Sequence, residues 1–214
     1  MVPMSQETST AARPNLREEQ KRRTRLALLA AARRLFVERG YASVTVDDIT
    51  REVGCSRATF YLHFTNKMDV LARISAETME KRAAAVYRDL DEVLRSGSRP
   101  AFTEWVEATL GWFSTNRDIL PAWDEALKTE PDFRPVGRES ITALTDAMPD
   151  YLARWPADRR DEARFRVELL VTQLDRYFTR STVQGTIEFA PDRAAEILTD
   201  IWFPALRPPG ATPE

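Results

Sequence analysis

Two capped helices joined by a two-residue turn, between Thr45 and Phe64, constrain this chain more than any other feature. Thr45 reads as an N-cap, with Asp48 three residues on in a T-x-x-D arrangement resembling a capping box. Val46, Ile49 and Val53 then recur at i, i+3 and i+7, the spacing of one helix face. Gly54 supplies a stop, because only glycine enters the left-handed region without steric cost. Ser56 follows as the next cap, so only Gly54 and Cys55 form the turn. Upstream, Leu28, Ala32, Leu35 and Phe36 make the stripe of a first helix that Gly40 ends. Helices joined by a tight glycine turn are the helix-turn-helix pattern.

The third helix of this set, expected over Arg57–Phe64, divides by face. Phe60 and Phe64, four apart, anchor it inward. Arg57, Thr59, Tyr61, Leu62 and His63 remain on or beside the outer side. A guanidinium at the start of a recognition helix suits a bidentate guanine contact. Thr59 and Tyr61 carry hydroxyls suited to phosphate oxygens, and Leu62 can touch a thymine methyl. Asn66 caps a further helix, with Asp69 three residues later and Lys67 in its first turn, where free N–H groups favour phosphate.

The run T-V-D-D-I-T-R-E-V-G-C-S-R-A-T-F-Y-L-H-F-T-N-K-M-D-V-L resembles the DNA-binding domain of the tetracycline-repressor (TetR) family of bacterial transcription regulators, over roughly residues 24–71. That resemblance implies phosphate contacts from Thr45, Tyr61, His63 and Lys67, and base or groove contacts from Arg57, Ala58 and Leu62. Ser56 and Thr59 complete the expected DNA-facing set. Two departures are mild: Asn66-Lys67-Met68-Asp69 stands where the family often has S-K-E-E, and Cys55 replaces an aliphatic residue.

The net charge of −2 conceals an asymmetry. Residues 1–70 hold 12 Lys and Arg against 8 Asp and Glu, and the remainder holds 19 against 25. Cations thus gather where the motif lies, most densely at Arg13, Arg17, Lys21, Arg22, Arg23 and Arg25. Residues 1–20 are expected to be a disordered basic leader, and Lys21–Arg25 either a solvated segment or a phosphate-tracking arm. A single cysteine leaves no intrachain disulfide, the start is polar, and the longest wholly apolar run is Leu26–Ala32. A cytoplasmic protein without membrane association is therefore expected.

Residues 21–66 are expected to form the DNA-binding domain and 67–206 a helical ligand-binding and dimerisation domain, with a disordered tail over 207–214. The fold class is all-α, with about nine helices. The second part is predicted to open with one long helix over 67–94. Helices follow near 101–115, 118–129 and 136–152, with Pro149 kinking or ending the last, then near 159–183 and 192–203.

Aromatic side chains crowd this part, and most should pack as core. Some are expected to line an apolar pocket between helices. Trp105–Trp112 and the A-A-E-I-L-T-D-I-W run are loosely similar to the actinobacterial ethionamide-resistance regulators. That likeness implies Trp105, Trp112, Thr172, Asp175 and Trp202 at a long cavity, and Thr109, Phe113 and Tyr151 complete the expected lining. A neutral or weakly polar ligand is expected there. The helix over 159–183 carries more apolar residues than one stripe needs. The family resemblance implies a dimer interface on the last two helices, through Phe165, Leu169, Tyr177, Phe178 and Ile201. A plain core helix explains the same pattern.

The functional expectation is a homodimeric repressor of a palindromic double-stranded operator, released by an apolar small molecule. A ligand-independent DNA-binding regulator is the alternative. An enzyme fits poorly. The single His63 and single Cys55 both fall inside the motif, and no glycine-rich phosphate loop occurs. No cofactor or metal is expected.

Overall fold

The computed structural model describes residues 16–77 and 81–210, and these contain eleven α-helices and no strand. The reading head comprises α1 (Leu16–Arg39), α2 (Val46–Val53) and α3 (Arg57–Tyr61). The leader expected over residues 1–20 lies outside the described residues up to 15. From Leu16 onward it is helix, so the segment holding Lys21–Arg25 is part of α1 rather than an arm. Alanine, leucine and arginine are good helix formers, and Arg22 and Arg23 both pair with Glu19 one turn earlier.

The expected long helix over 67–94 is described in two pieces, α4 (Lys67–Ser75) and α5 (Lys81–Ser96), with a π-type turn at residues 76–77; its course through 78–80 falls outside the described residues. Then follow α6 (Arg99–Asn116), α7 (Leu120–Thr129) and α8 (Arg134–Asp146). The helix expected over 136–152 is interrupted at Pro149, as anticipated: α8 stops at Asp146 and the proline begins α9 (Pro149–Ala153). A proline bars its predecessor from helical backbone, and Met148 accordingly sits at φ −119° and ψ 58°. α10 (Arg160–Phe178) runs on into a π-turn over Thr179–Val183, and α11 (Pro191–Ala205) completes the bundle. Of the expected tail, residues 207–210 form bends and turns, and 211–214 lie outside the described residues.

Two hydrophobic cores result. The head core gathers Leu28, Leu35, Phe36, Tyr41, Ile49, Phe60, Phe64, Val70 and Leu71. Each fully buried side chain of this size contributes about 1.5–3 kcal/mol through loss of contact with water. The same core includes Ile119, Ala122, Ala126 and Phe133, more than forty residues further along the chain. The body core is built on α6, α10 and α11. Phe102 packs on Phe203 at 5.5 Å between ring centroids, and Phe113 stacks on Phe178 at 5.5 Å and 22°.

One buried carboxylate ties the body together in a way the sequence does not announce. Asp91 on α5 is buried and accepts from the backbone N–H groups of Tyr151 at 2.6 Å and Asp150 at 3.1 Å. It does for α9, from sixty residues away, what an N-cap side chain does locally.

Candidate DNA-reading face and internal cavity

Local hydrogen bonding sets the reading face. Thr45 caps α2 in a complete capping box: its hydroxyl accepts from Asp48 N–H at 3.2 Å, and its own N–H donates to Asp48 Oδ2 at 3.0 Å. The Thr45 hydroxyl also donates to Asp48 Oδ2, and these bonds, with Arg51 behind them, hold the Asp48 carboxyl below its ordinary range. Gly54 ends α2 at φ 74°, ψ 34°, with its N–H returning to Arg51 and Thr50 carbonyls. Ser56 caps α3 by accepting from Thr59 N–H at 3.1 Å, and the Ser56 and Thr59 hydroxyls lie 2.9 Å apart.

α3 is shorter than expected: it closes at Tyr61, and the chain turns through Leu62 and His63, whose N–H returns to Phe60 O at 2.9 Å. Phe60 and Phe64 are buried as anchors. Arg57, Ala58, Tyr61 and Leu62 share the outer side, with Leu62 76% exposed. Arg57 rests between Asp47 Oδ2 at 3.3 Å and the Tyr61 hydroxyl at 3.4 Å. An exposed pair of this kind is worth about 0–1 kcal/mol, so exchanging it for a DNA contact costs little. His63 is half-buried beside α1, and burial followed by the charges of Lys21 and Arg25 holds its imidazole below the ordinary range.

Lys67 departs from expectation. Its ammonium donates to the carbonyls of Tyr41 at 3.0 Å, Ala42 at 3.3 Å and Val44 at 3.0 Å, and lies 4.3 Å from the Tyr41 ring centre. All three donors are used inside the head, which leaves none for a phosphate. Burial pulls its pKa down, while Glu130 and Glu125 oppose that. Both carboxylates also bind Tyr41: Glu125 Oε2 accepts from its N–H at 2.7 Å and Glu130 Oε1 from its hydroxyl at 3.3 Å. Together with the Arg33–Asp118 bridge at 2.8 Å, these bonds fasten the head to α7 and its approach.

A cavity of about 410 Å³ lies between α5, α6, α7, α8 and α10, with Ser75 at the end of α4 also lining it. Its volume falls within the roughly 300–1,000 Å³ usual for ligand sites. Of the expected lining, Thr109, Trp112, Phe113, Thr172 and Asp175 face it, joined by Tyr87, Trp123, Asp124, Leu127 and α8 residues that sequence reasoning missed. Trp105, Tyr151 and Trp202 do not line it and are corrected to body core. Trp105 Nε1 donates to Val86 O at 2.8 Å, Tyr151 Oη to Ala163 O at 3.4 Å, and Trp202 Nε1 to Gln173. Each indole or phenol is satisfied, so packing accounts for it.

The cavity's hydroxyls are mostly spent on their own helices, with Thr109, Thr172 and Ser140 each donating one turn back. Trp112 Nε1, by contrast, is buried without an acceptor. Asp124 and Asp175 have neither a hydrogen-bonding nor an ion-pairing side chain among the described residues. Burial first, then the charge of Asp124, holds the Asp175 carboxyl above the ordinary range, against a smaller opposing effect of Arg176.

The expected dimer face divides. Phe178 is 2% exposed and belongs to the body core, so it is corrected from surface to interior, and Tyr177 is half-buried against the same core. Phe165, Leu169 and Ile201 stand exposed on α10 and α11, and Ile197, one turn before Ile201, joins them. Among the described residues no group of three or more His, Cys, Asp and Glu could hold a metal, and no helix is long and apolar enough to cross a membrane.

Residues 28–74 match the model of bacterial regulatory proteins of the tetR family. Over 181 residues the chain is 30% identical to the HTH-type transcriptional regulator EthR of Mycolicibacterium smegmatis, covering 83% of each protein. It is 26% identical to the HTH-type transcriptional activator FasR of the same organism, over 76% of this chain and 79% of that protein. A putative TetR-family transcriptional regulator from Syntrophomonas wolfei has the same fold, with a TM-score of 0.64 at 15% identity, over 87% of this chain and 96% of the other.

Proposed function

The chain belongs to the TetR family of bacterial transcription regulators, and from that premise we propose a homodimeric repressor that a small molecule with an apolar body releases from its operator. DNA binding and transcription regulation are family properties. The observation that carries the release step is the double duty of α7. Ile119, Ala122 and Ala126, at i, i+3 and i+7, belong to the head core. Trp123, Asp124 and Leu127 of the same helix line the cavity, and Trp123 and Leu127 pack against the head core as well. A ligand that displaces α7 therefore moves part of the head's own core together with the Tyr41–Glu125 bond. Release then follows from a difference in ligand affinity between the DNA-bound and free conformations, worth typically ~1–3 kcal/mol.

In this reading Arg57, Ala58 and Leu62 meet bases, and Thr45, Tyr61 and His63 meet phosphates, with Ser56 and Thr59 shaping the start of α3. Lys67 positions the turn before α2 instead of touching DNA. Phe165, Leu169, Ile197 and Ile201 provide the apolar stripes through which two copies pair, setting two reading heads roughly 34 Å apart for successive major grooves. The cytoplasm, where operator DNA lies, is the place of action.

The test is a selected operator in a binding assay and a reporter. Sedimentation at micromolar concentration should give a dimer, and hydrophobic compounds that quench tryptophan fluorescence should lower operator affinity by about 5- to 150-fold. Binding without any loss of operator affinity would overturn release. Because FasR is named an activator, the reporter's direction matters: expression that rises with the protein would overturn repression.

A further inference from the structure

Charge inside the cavity separates one class of ligand from the neutral one that its aromatic lining suggests. Two carboxylates, Asp124 from α7 and Asp175 from α10, enter a space otherwise walled by Tyr87, Trp112, Phe113 and Trp123. Among the described residues no hydrogen bond or salt bridge satisfies either of them. A carboxylate withdrawn from water without a partner is costly, and the cost is relieved by a proton or by a cation brought in from outside. Aromatic faces attract cations as well, most strongly when the cation has lost its water.

From this juxtaposition we infer that the cavity takes a lipophilic cation, an ammonium-bearing amphiphile, with the charged nitrogen between Asp124 and Asp175 and the hydrocarbon body against the aromatic walls. The inference rests on the ligand-release reading and adds the chemistry of the ligand to it.

Two guanidiniums also border the cavity, Arg134 and Arg138, one turn apart on α8. They are exposed, so water already satisfies them. An anionic head group there would gain only what a surface ion pair gains, which is little. The unsatisfied charges are the acids, and they set the preference. Trp112 Nε1 remains a donor for a ligand oxygen further along the body, where the ligand carries one.

The experiment uses the full chain and three probes with one hydrocarbon body: decyltrimethylammonium, 1-decanol and decanoate, each below its aggregation concentration. Affinity is read from tryptophan fluorescence and calorimetry, and release from a selected operator. The ammonium should bind about tenfold more tightly than the alcohol, with decanoate weakest. In Asp175→Asn and Asp124→Asn the ammonium-to-alcohol ratio should fall toward one, a ratio insensitive to any general loss of fold. Equal affinities in the wild type, or a preference for decanoate, would overturn the cation. Ammonium preference with no effect on operator binding would uphold the cation and overturn release. If none of the three binds while the protein still holds its operator, both readings fail.

Discussion

At the scale of the residue, three side chains carry clear expectations. Gly54 has φ 74°, and a Cβ built on it would meet nothing within 4 Å. Any penalty for replacing it is therefore backbone strain alone, which is severe for a β-branched residue and small for asparagine. Gly54→Val should abolish operator binding while the body stays folded and dimeric, and Gly54→Asn should retain most of it. Equal operator affinities for the two variants, by gel shift, would remove the left-handed turn as the reason for glycine. Lys67→Met keeps the length of the side chain but strips three carbonyls of their shared donor. About 2–3 kcal/mol of stability should be lost, seen as a lowered urea midpoint. Asp175 runs the other way. Its carboxyl binds a proton more tightly folded than unfolded, so folding loses stability as pH rises from the unfolded toward the folded value and beyond. Asp175→Asn should accordingly raise the melting temperature at neutral pH, and the gain should vanish in acid, below the ordinary carboxylate range.

Elements differ in how far the sequence reveals them. The head was legible because its signals are local: caps three residues ahead of the N–H groups they accept from, glycines at stops, anchors four apart. The cavity was not, since its walls come from six helices whose lining spans Ser75 to Asp175. Helical spacing makes Trp105 and Trp112 look alike, two turns apart on the same face of α6. Only the fold separates them, one indole donating to Val86 and the other left without an acceptor beside the cavity. The long-range cap on α9 is equally invisible in sequence, because α5 and α9 meet only in three dimensions. Asp91→Ala should leave two buried N–H groups without an acceptor and cost about 2–4 kcal/mol. For a chain of this size that is a fall of roughly 5–15 °C in melting temperature. An unchanged melting temperature would show the α9 amides to be satisfied by other means.

At the scale of the whole molecule, the proposed pairing of two copies and the charge of their heads govern the behaviour expected on DNA. Leu169→Asp with Ile201→Asp places charges on both exposed stripes, and the double variant should sediment as a monomer with its helix content intact. Three to five phosphates neutralised per reading head give a slope of log K against log[salt] of about −5 to −9 for the dimer. The monomeric variant should show roughly half that slope and far weaker binding, and a slope that does not change on dissociation would argue against two equivalent heads. The shared core also bears on the order in which this chain becomes competent as it is made. The residues proposed to read DNA are complete by Leu71, yet Ile119, Ala122, Ala126 and Phe133 belong to the same core as the head. At about 5–20 residues per second, roughly sixty further residues take some 3–12 s to emerge. Through that interval the nascent head lacks one wall, and a chain cut short before α7 carries the entire recognition sequence without the means to hold it in shape.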